Sequence, residues 1–388
     1  MWNLSKRKKS KAVPIVAVLT ILIAALAVLC FLINPLVIQP KKDAIAKANA
    51  DAKAAVEERN KEALAAYKAR IAELESQAKM PTNPSWPAQN PDAEWEVLDL
   101  STIPLENQTA ETLTREELMT GGMLLVNQWH SRPEDFNQAG VVGVAKAYKG
   151  DDKIQARDNN VTLFPNALEA LHDALVAAKA EGFQHYLVEE GYRTKEKQEE
   201  YFNNKVTKLS SKYTGDALIA AAMKEVNYPG TSEYNSGLSF ELRLYDKNDP
   251  DVAVPKYSTT PEAKWMNENC WKYGIVFRFP LGGWPLESST DKSFKTGVSK
   301  RLNLYRYVGK GNAAIMHYMD FTLEEYIEYL EEHPHIALFE NGVLKYEVYR
   351  QPVGEADPIN VQLTRKASSY VSSLDNMGAV ITVFSHDQ

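Results

Sequence analysis

"PGTSEYNSGLSFEL", residues 229–242, is the stretch on which the reading of this chain turns. It sets Tyr234 and Glu241 seven residues apart, with Ser232 just before them. As donors to a metal ion the two are unequal: Glu241 offers a carboxylate, whereas the Tyr234 phenol is a poor ligand at neutral pH. Either the segment belongs to an altered metal site, or the fold around it serves another purpose.

Outward from this segment, helical and strand-like patterns alternate. On its N-terminal side FPNALEALHDALVAAKAEGF (164–183) has the spacing of an amphipathic helix closing on Gly182, and QHYLVEEGYR (184–193) reads as the strand leaving it. TKEKQEEYFNNKV (194–206) predicts a helix with a polar face, while TREEL (114–118) leads into the apolar, strand-like GMLLVNQW (122–129). On the C-terminal side PEAKWMNENCWKYGIVFRFP (261–280) predicts a helix and then a strand, and TLEEYIEYL (322–330) opens on a capping-box pattern. The tail, KYEVYRQPV (345–353) and INVQLTRKASSYVSSLDNMGAVITVF (359–384), alternates as strands with turns. The sequence shows no internal repeat. The fold class is α+β with a small β-rich appendage.

The first 80 residues are of another kind. KRKKSK (6–11) precedes an apolar run, and no charge occurs between Lys11 and Lys41. Val13 to Ile38 exceeds the roughly 20 residues a helix needs to cross a bilayer. A cleaved signal peptide would have a shorter apolar region with a small-residue cut site after it, and here ALA lies inside the run. A lipoprotein signal would need a small residue before Cys30, where Leu29 stands. The segment is expected to be an uncleaved anchor, with the basic N-terminus cytoplasmic and the rest outside. The chain carries a net charge of −7, and the part beyond the five basic residues of 1–11 therefore carries −12. That acidity argues against nucleic acid or anionic polymers as partners. The two cysteines, Cys30 and Cys270, fall on anchor and ectodomain, which excludes an intrachain disulfide under this topology.

Lys41 to Met80 holds 13 alanines among 40 residues and no glycine or proline, the composition of a long helix. Leu64, Tyr67, Ile71, Leu74 and Ala78 follow coiled-coil-like spacing, so the segment is either a dimerising stalk or a solvated spacer. Fully helical, it reaches about 60 Å. MPTNPSWPAQNP (80–91), with four prolines, reads as a semi-rigid linker.

Six segments carry a resemblance to a known family: LLVNQWHSRPEDF (124–136), EEGYRTKEKQ (189–198), PGTSEYNSGL (229–238), NENCWKYGIVFRFP (267–280), RYVG (306–309) and TLEEYIEYL (322–330). In that order they resemble the VanY-type D-alanyl-D-alanine carboxypeptidases. Those are zinc peptidases that trim peptidoglycan stem peptides, related to lysostaphin-like enzymes and the hedgehog signalling domain. The resemblance covers about Gly122 to Leu330, and the β-rich tail looks like one that follows this domain in some members. The family's zinc ligands are a His and an Asp from an SEHxxGLAxD-type motif and a second His from an EPWHxRYVG-type motif, whose Glu is the general base. Laid on this sequence, the first His falls on Tyr234, the Asp on Glu241, the second His on Leu304 and the Glu on Arg301.

Catalytic zinc needs three N, S or O donors and an open position for water. Leu304 has no donor, and Arg301 is cationic, so it neither takes a proton from water nor tolerates a nearby dication. None of the seven histidines, His130, His172, His185, His317, His333, His335 and His386, lies in either motif. His333 and His335 flank Pro334 in a polar stretch and read as surface residues; Cys270 reads as a buried inert thiol, and Ser232 has no base beside it. The expectation is therefore no metal, no cofactor and no catalytic residue. The resemblance also implies substrate-binding positions, and these are kept: Arg193 of the GYR motif, Gln198 five residues later, and Ser232. In the family they bind the peptide and its terminal carboxylate. Here they either still do so or hold the domain together through internal hydrogen bonds.

Three readings follow. The favoured one is a membrane-anchored, extracytoplasmic homologue that binds a peptidoglycan stem peptide or a cell-envelope protein without hydrolysing it. The others are an active carboxypeptidase with an unconventional site, and a purely structural interaction module. The expected organisation is a cytoplasmic segment (1–11), an anchor (12–38), a stalk (39–80) open to homodimerisation, and a linker with lead-in (81–118). A D-Ala-D-Ala carboxypeptidase-like domain (119–332) and the β-rich appendage (333–388) complete it. A carboxylate left at the old metal position would cost several kcal/mol if buried unpaired. An Arg301–Glu241 ion pair within about 4 Å is therefore expected, partly buried, with the Tyr234 hydroxyl as third member.

Overall fold

The computed structural model describes residues 39–77, 93–105, 108–363 and 369–386. The expected cytoplasmic segment, the membrane anchor and the Pro-rich stretch 80–91 lie outside these residues. Among the described residues no helix is long and apolar enough to cross a membrane. The chain divides into two compact units, one running to Ala55 and including Tyr201–Val226, the other Val56–Glu200 with Asn227–Gln388.

The alanine-rich segment forms helix α1, Gln39–Gln77. Leu64, Tyr67, Ile71 and Leu74 lie along it, and Ala78 falls outside the described residues. Within the smaller unit Asn49 Nδ2 donates to Asn203 Oδ1 at 2.7 Å, and Lys205 pairs with Glu225 at 2.6 Å.

The larger unit begins with β1 (Trp95–Asp99), β2 (Thr109–Leu113), α2 (Arg115–Met119), α3 (Pro165–Ala180) and β3 (Tyr186–Glu190). Its middle part contributes β4 (Ser239–Leu244), α4 (Pro261–Asn269), β5 (Ile275–Phe277) and β6 (Leu304–Tyr307). Then come α5 (Lys310–Tyr318), α6 (Leu323–Glu332), β7 (His335–Glu340), β8 (Val343–Pro352), β9 (Ile359–Leu363), β10 (Ser369–Leu374) and β11 (Ala379–Ser385). Two helices start on reciprocal capping boxes, Thr114 with Glu117 in α2 and Thr322 with Glu325 in α6. Pro165 opens α3, where its missing N–H has no partner to lose.

A first sheet runs in the order Gln155–Ala156, β3, β4, β6, β5, with only the outer two-residue strand parallel to its neighbour. Its register sets Glu241 opposite both Glu190 and Leu304. Because strand side chains alternate, Ser239, Glu241, Leu304 and Arg306 share one face, and Phe240, Leu242 and Tyr305 the other. The second face packs against Leu168, Leu171 and Ala174 of α3 and Ala263 and Met266 of α4. Helices cover one side; the polar side is left as a floor.

A second, antiparallel sheet runs β1, β7, β8, β11, β10, and β9 pairs with β2. Its Ile336, Leu338, Val348, Ile381 and Val383 share one core with Ala313 and Ile315 of α5 and Ile327 and Leu330 of α6. The helix and sheet meet closely: a Cβ on Gly311 would come within 2.5 Å of Val383 Cγ1. The described residues of the expected appendage, 333–363 and 369–386, thus form more than a small addition. They close over the apolar faces of the domain's last two helices, and the edge strand beside them is β1, which the sequence placed in the lead-in.

One end of this sheet holds an acid between two imidazoles. His335 Nε2 lies 2.8 Å from one Glu347 oxygen, and His386 Nε2 lies 3.3 Å from the other. Burial alone would raise the Glu347 pKa, but the His335 hydrogen bond and the His386 imidazole beside it hold it at about 2, against an ordinary 4.5. A carboxyl depressed on folding adds stability above the unfolded pKa, and that stability is lost as pH falls through the folded one. Thermal melts should show Glu347→Gln less stable than the parent at neutral pH, with the gap narrowing below pH 4.5 and closing near pH 2. A gap that does not change with pH would contradict this.

Candidate functional site

Tyr234 lies in a short 3-10 turn, Glu233–Ser236, that ends on Gly237 at φ 72°. A Cβ on Gly237 would also sit 2.7 Å from the Phe164 ring, so this position is closed to other residues twice over. The turn lays the Tyr234 side chain along the sheet floor, packed with Leu304, Phe279 and Val298. Its hydroxyl donates to Glu241 Oε2 at 2.6 Å. Burial, and then the Glu241 charge, push the phenol pKa upward, so the hydroxyl keeps its proton and remains a donor.

The other Glu241 oxygen accepts from Asn303 Nδ2 at 3.0 Å, and the same amide donates to the Leu242 carbonyl at 2.9 Å. Arg301 Nη1 stands 3.7 Å from Glu241 Oε2. All four positions singled out in the sequence, Tyr234, Glu241, Arg301 and Leu304, therefore converge. The pair has the expected distance but not the expected burial: the Arg301 side chain is 45% exposed. At that exposure it is worth under about 1 kcal/mol rather than several, because water screens it.

Arg193 is placed on the same tyrosine, its guanidinium 4.3 Å from the Tyr234 ring centroid; that of Arg301 lies 6.0 Å away. Arg193 Nη1 donates to Gln198 Oε1 at 2.8 Å and Nη2 to Glu190 Oε2 at 3.1 Å. Gln198 is buried and donates onward to the Asn227 carbonyl at 2.6 Å. Ser232 is buried in the turn before Tyr234, its N–H donating to Asn235 Oδ1 at 3.2 Å, while Asn235 Nδ2 reaches the Arg193 carbonyl at 2.6 Å. Arg193 and Gln198 are thus in contact, and Ser232 is tied to them through the backbone of the two loops.

Residues 160–292 match the VanY family, described as D-alanyl-D-alanine carboxypeptidase. That match falls on the segment that carries Tyr234 and Glu241. A D-alanyl-D-alanine carboxypeptidase of Enterococcus faecium is 28% identical over 279 residues, 72% of this chain and 80% of the relative. One from Enterococcus faecalis is 29% identical over 226 residues, 58% and 72% of the two chains. The solved D,D-dipeptidase VanXYg, in complex with a D-Ala-D-Ala phosphinate analogue, superposes with a TM-score of 0.53 at 23% identity. That match spans 71% of this chain and 99% of the other, and it speaks for a common fold.

The larger unit has a second polar centre that the sequence reading missed. Glu233 accepts from Arg278 Nε at 2.8 Å, from Ser239 Oγ at 2.7 Å and from Arg306 Nη1. The two remaining Arg278 nitrogens donate to Glu324 at 2.9 and 2.6 Å, and Arg306 Nη2 reaches the Gly122 and Leu124 carbonyls at 2.7 and 2.8 Å. All four charged residues are buried. Burial alone would raise the Glu233 pKa, but Arg278 and Arg306 hold it below the ordinary carboxylate value. The signal was present in the sequence as arginines inside the apolar strand segments VFRFP and LYRYVG, where a charge demands a buried partner.

Two expectations about other side chains divide. Cys270 is buried, and burial pushes its thiol up to about 12, so it is inert. His335, expected on the surface, is instead buried as the first residue of β7, while His333 contacts Asp99 at 2.8 Å.

Proposed function

We propose that this chain is a membrane-anchored VanY homologue that holds the end of a peptidoglycan stem peptide without hydrolysing it. The observation that carries the reading is the Tyr234–Glu241 hydrogen bond beside the buried Leu304. Of the four positions, a protonated phenol directed at the one carboxylate among them, a hydrocarbon and a guanidinium form a donor set that does not suit catalytic zinc. Among the described residues no group of three or more His, Cys, Asp or Glu is placed to hold a metal. The likeness to enterococcal D-alanyl-D-alanine carboxypeptidases supports a ligand of that class. Incubation with a peptide ending in D-Ala-D-Ala should show binding and no released D-alanine; turnover that follows added zinc would overturn the reading.

Anchoring at 12–38 rests on the uncharged span and the basic residues before it. Protease added to intact spheroplasts should then remove everything beyond the anchor, and a fully protected chain would contradict that topology.

Arg193 favours a second reading, an inert cleft in a structural module, since its terminal nitrogens already serve Glu190 and Gln198. Titration with stem-peptide fragments separates the two.

A further inference from the structure

We propose that the terminal carboxylate of the ligand is taken by Arg301, not by Arg193; this rests on the stem-peptide reading above. Arg193 is 12% exposed, its two terminal nitrogens are bonded, and its face is stacked on Tyr234. Turning it toward a ligand would break a charge-assisted bond to Glu190 and disturb the Gln198 link to Asn227. Arg301 differs on each count. Its side chain is 45% exposed, and at 3.7 Å its contact with Glu241 is longer than a hydrogen bond.

Glu241 does not depend on it. If Arg301 swings outward, the carboxylate keeps Tyr234 at 2.6 Å and Asn303 at 3.0 Å. The guanidinium fork is thus available to a second carboxylate, which it matches bidentately. Lys300, exposed and without an ion pair among the described residues, adds a second cation in the same loop. The recognised chemistry is a peptide with a free C-terminal carboxylate, and a C-terminal amide should be rejected.

The test is calorimetric titration of the detergent-solubilised full chain with a peptide ending in D-Ala-D-Ala and with its C-terminal amide. The parent should bind the acid at least about tenfold more tightly than the amide, the scale of a charge-assisted bidentate contact. Arg301→Ala should weaken the acid by that factor and remove the discrimination, Arg301→Lys should restore part of it, and Arg193→Lys should leave the acid-to-amide ratio intact. Discrimination that survives in Arg301→Ala overturns the assignment and leaves the stem-peptide reading standing. A parent that binds neither peptide overturns both. The Arg301→Ala result decides by itself if Arg193→Lys does not fold.

Discussion

Arg278→Met is expected to destabilise the larger unit by roughly 3–5 kcal/mol, the cost of removing one partner from a buried ionic cluster. Arg278 donates to Glu233 and, through two bonds, to Glu324, with no exposure to water. Without it Glu233 keeps Arg306 and Ser239, but among the described residues Glu324 keeps only Asn127 Nδ2 at 3.0 Å. The penalty should therefore concentrate on Glu324. Adding Glu324→Gln to Arg278→Met should recover a substantial share of the loss, read as urea midpoints at an unchanged slope. A single variant within about 1 kcal/mol of the parent would mean that the cluster is open to water and not the buried centre described here.

The second large effect is a gain. Replacing Tyr234→His, Glu241→Asp, Leu304→His and Arg301→Glu together should create a zinc site, because these positions already converge on one point of the floor. The variant should bind about one equivalent of zinc, and at a free concentration of 100 Kd its stability should rise by about 2.7 kcal/mol. Chelator should remove that gain and leave the parent unaffected. A variant that folds but binds no zinc would show that the four positions do not reproduce the family's geometry.

Much of the floor was legible because motif spacing fixes register. The intervals from Tyr234 to Glu241 and from Arg301 to Leu304 place these residues on β4, β6 and the loops beside them, and β-pairing brings Glu241 opposite Leu304. What the spacing does not carry is exposure. Arg301 was expected to compensate Glu241 from within, yet Asn303, which no motif marks, supplies the bond that lets the arginine stay half in water. The Arg278–Glu233–Glu324–Arg306 cluster was likewise hidden, since its members come from four separate segments that only the tertiary fold assembles. The second sheet was read as an appendage for a related reason: β1 pairs with β7 at a sequence distance no local pattern can signal.

The expectation is that the chain itself supplies the groups at the position of the family's metal. It is tested most directly by the zinc content of the unmodified full-length protein, purified in the presence of zinc and measured by mass spectrometry alongside its melting temperature with and without chelator. Well under one equivalent and no shift on chelation are expected. One equivalent of zinc, lost to chelator with a fall in melting temperature, would contradict it.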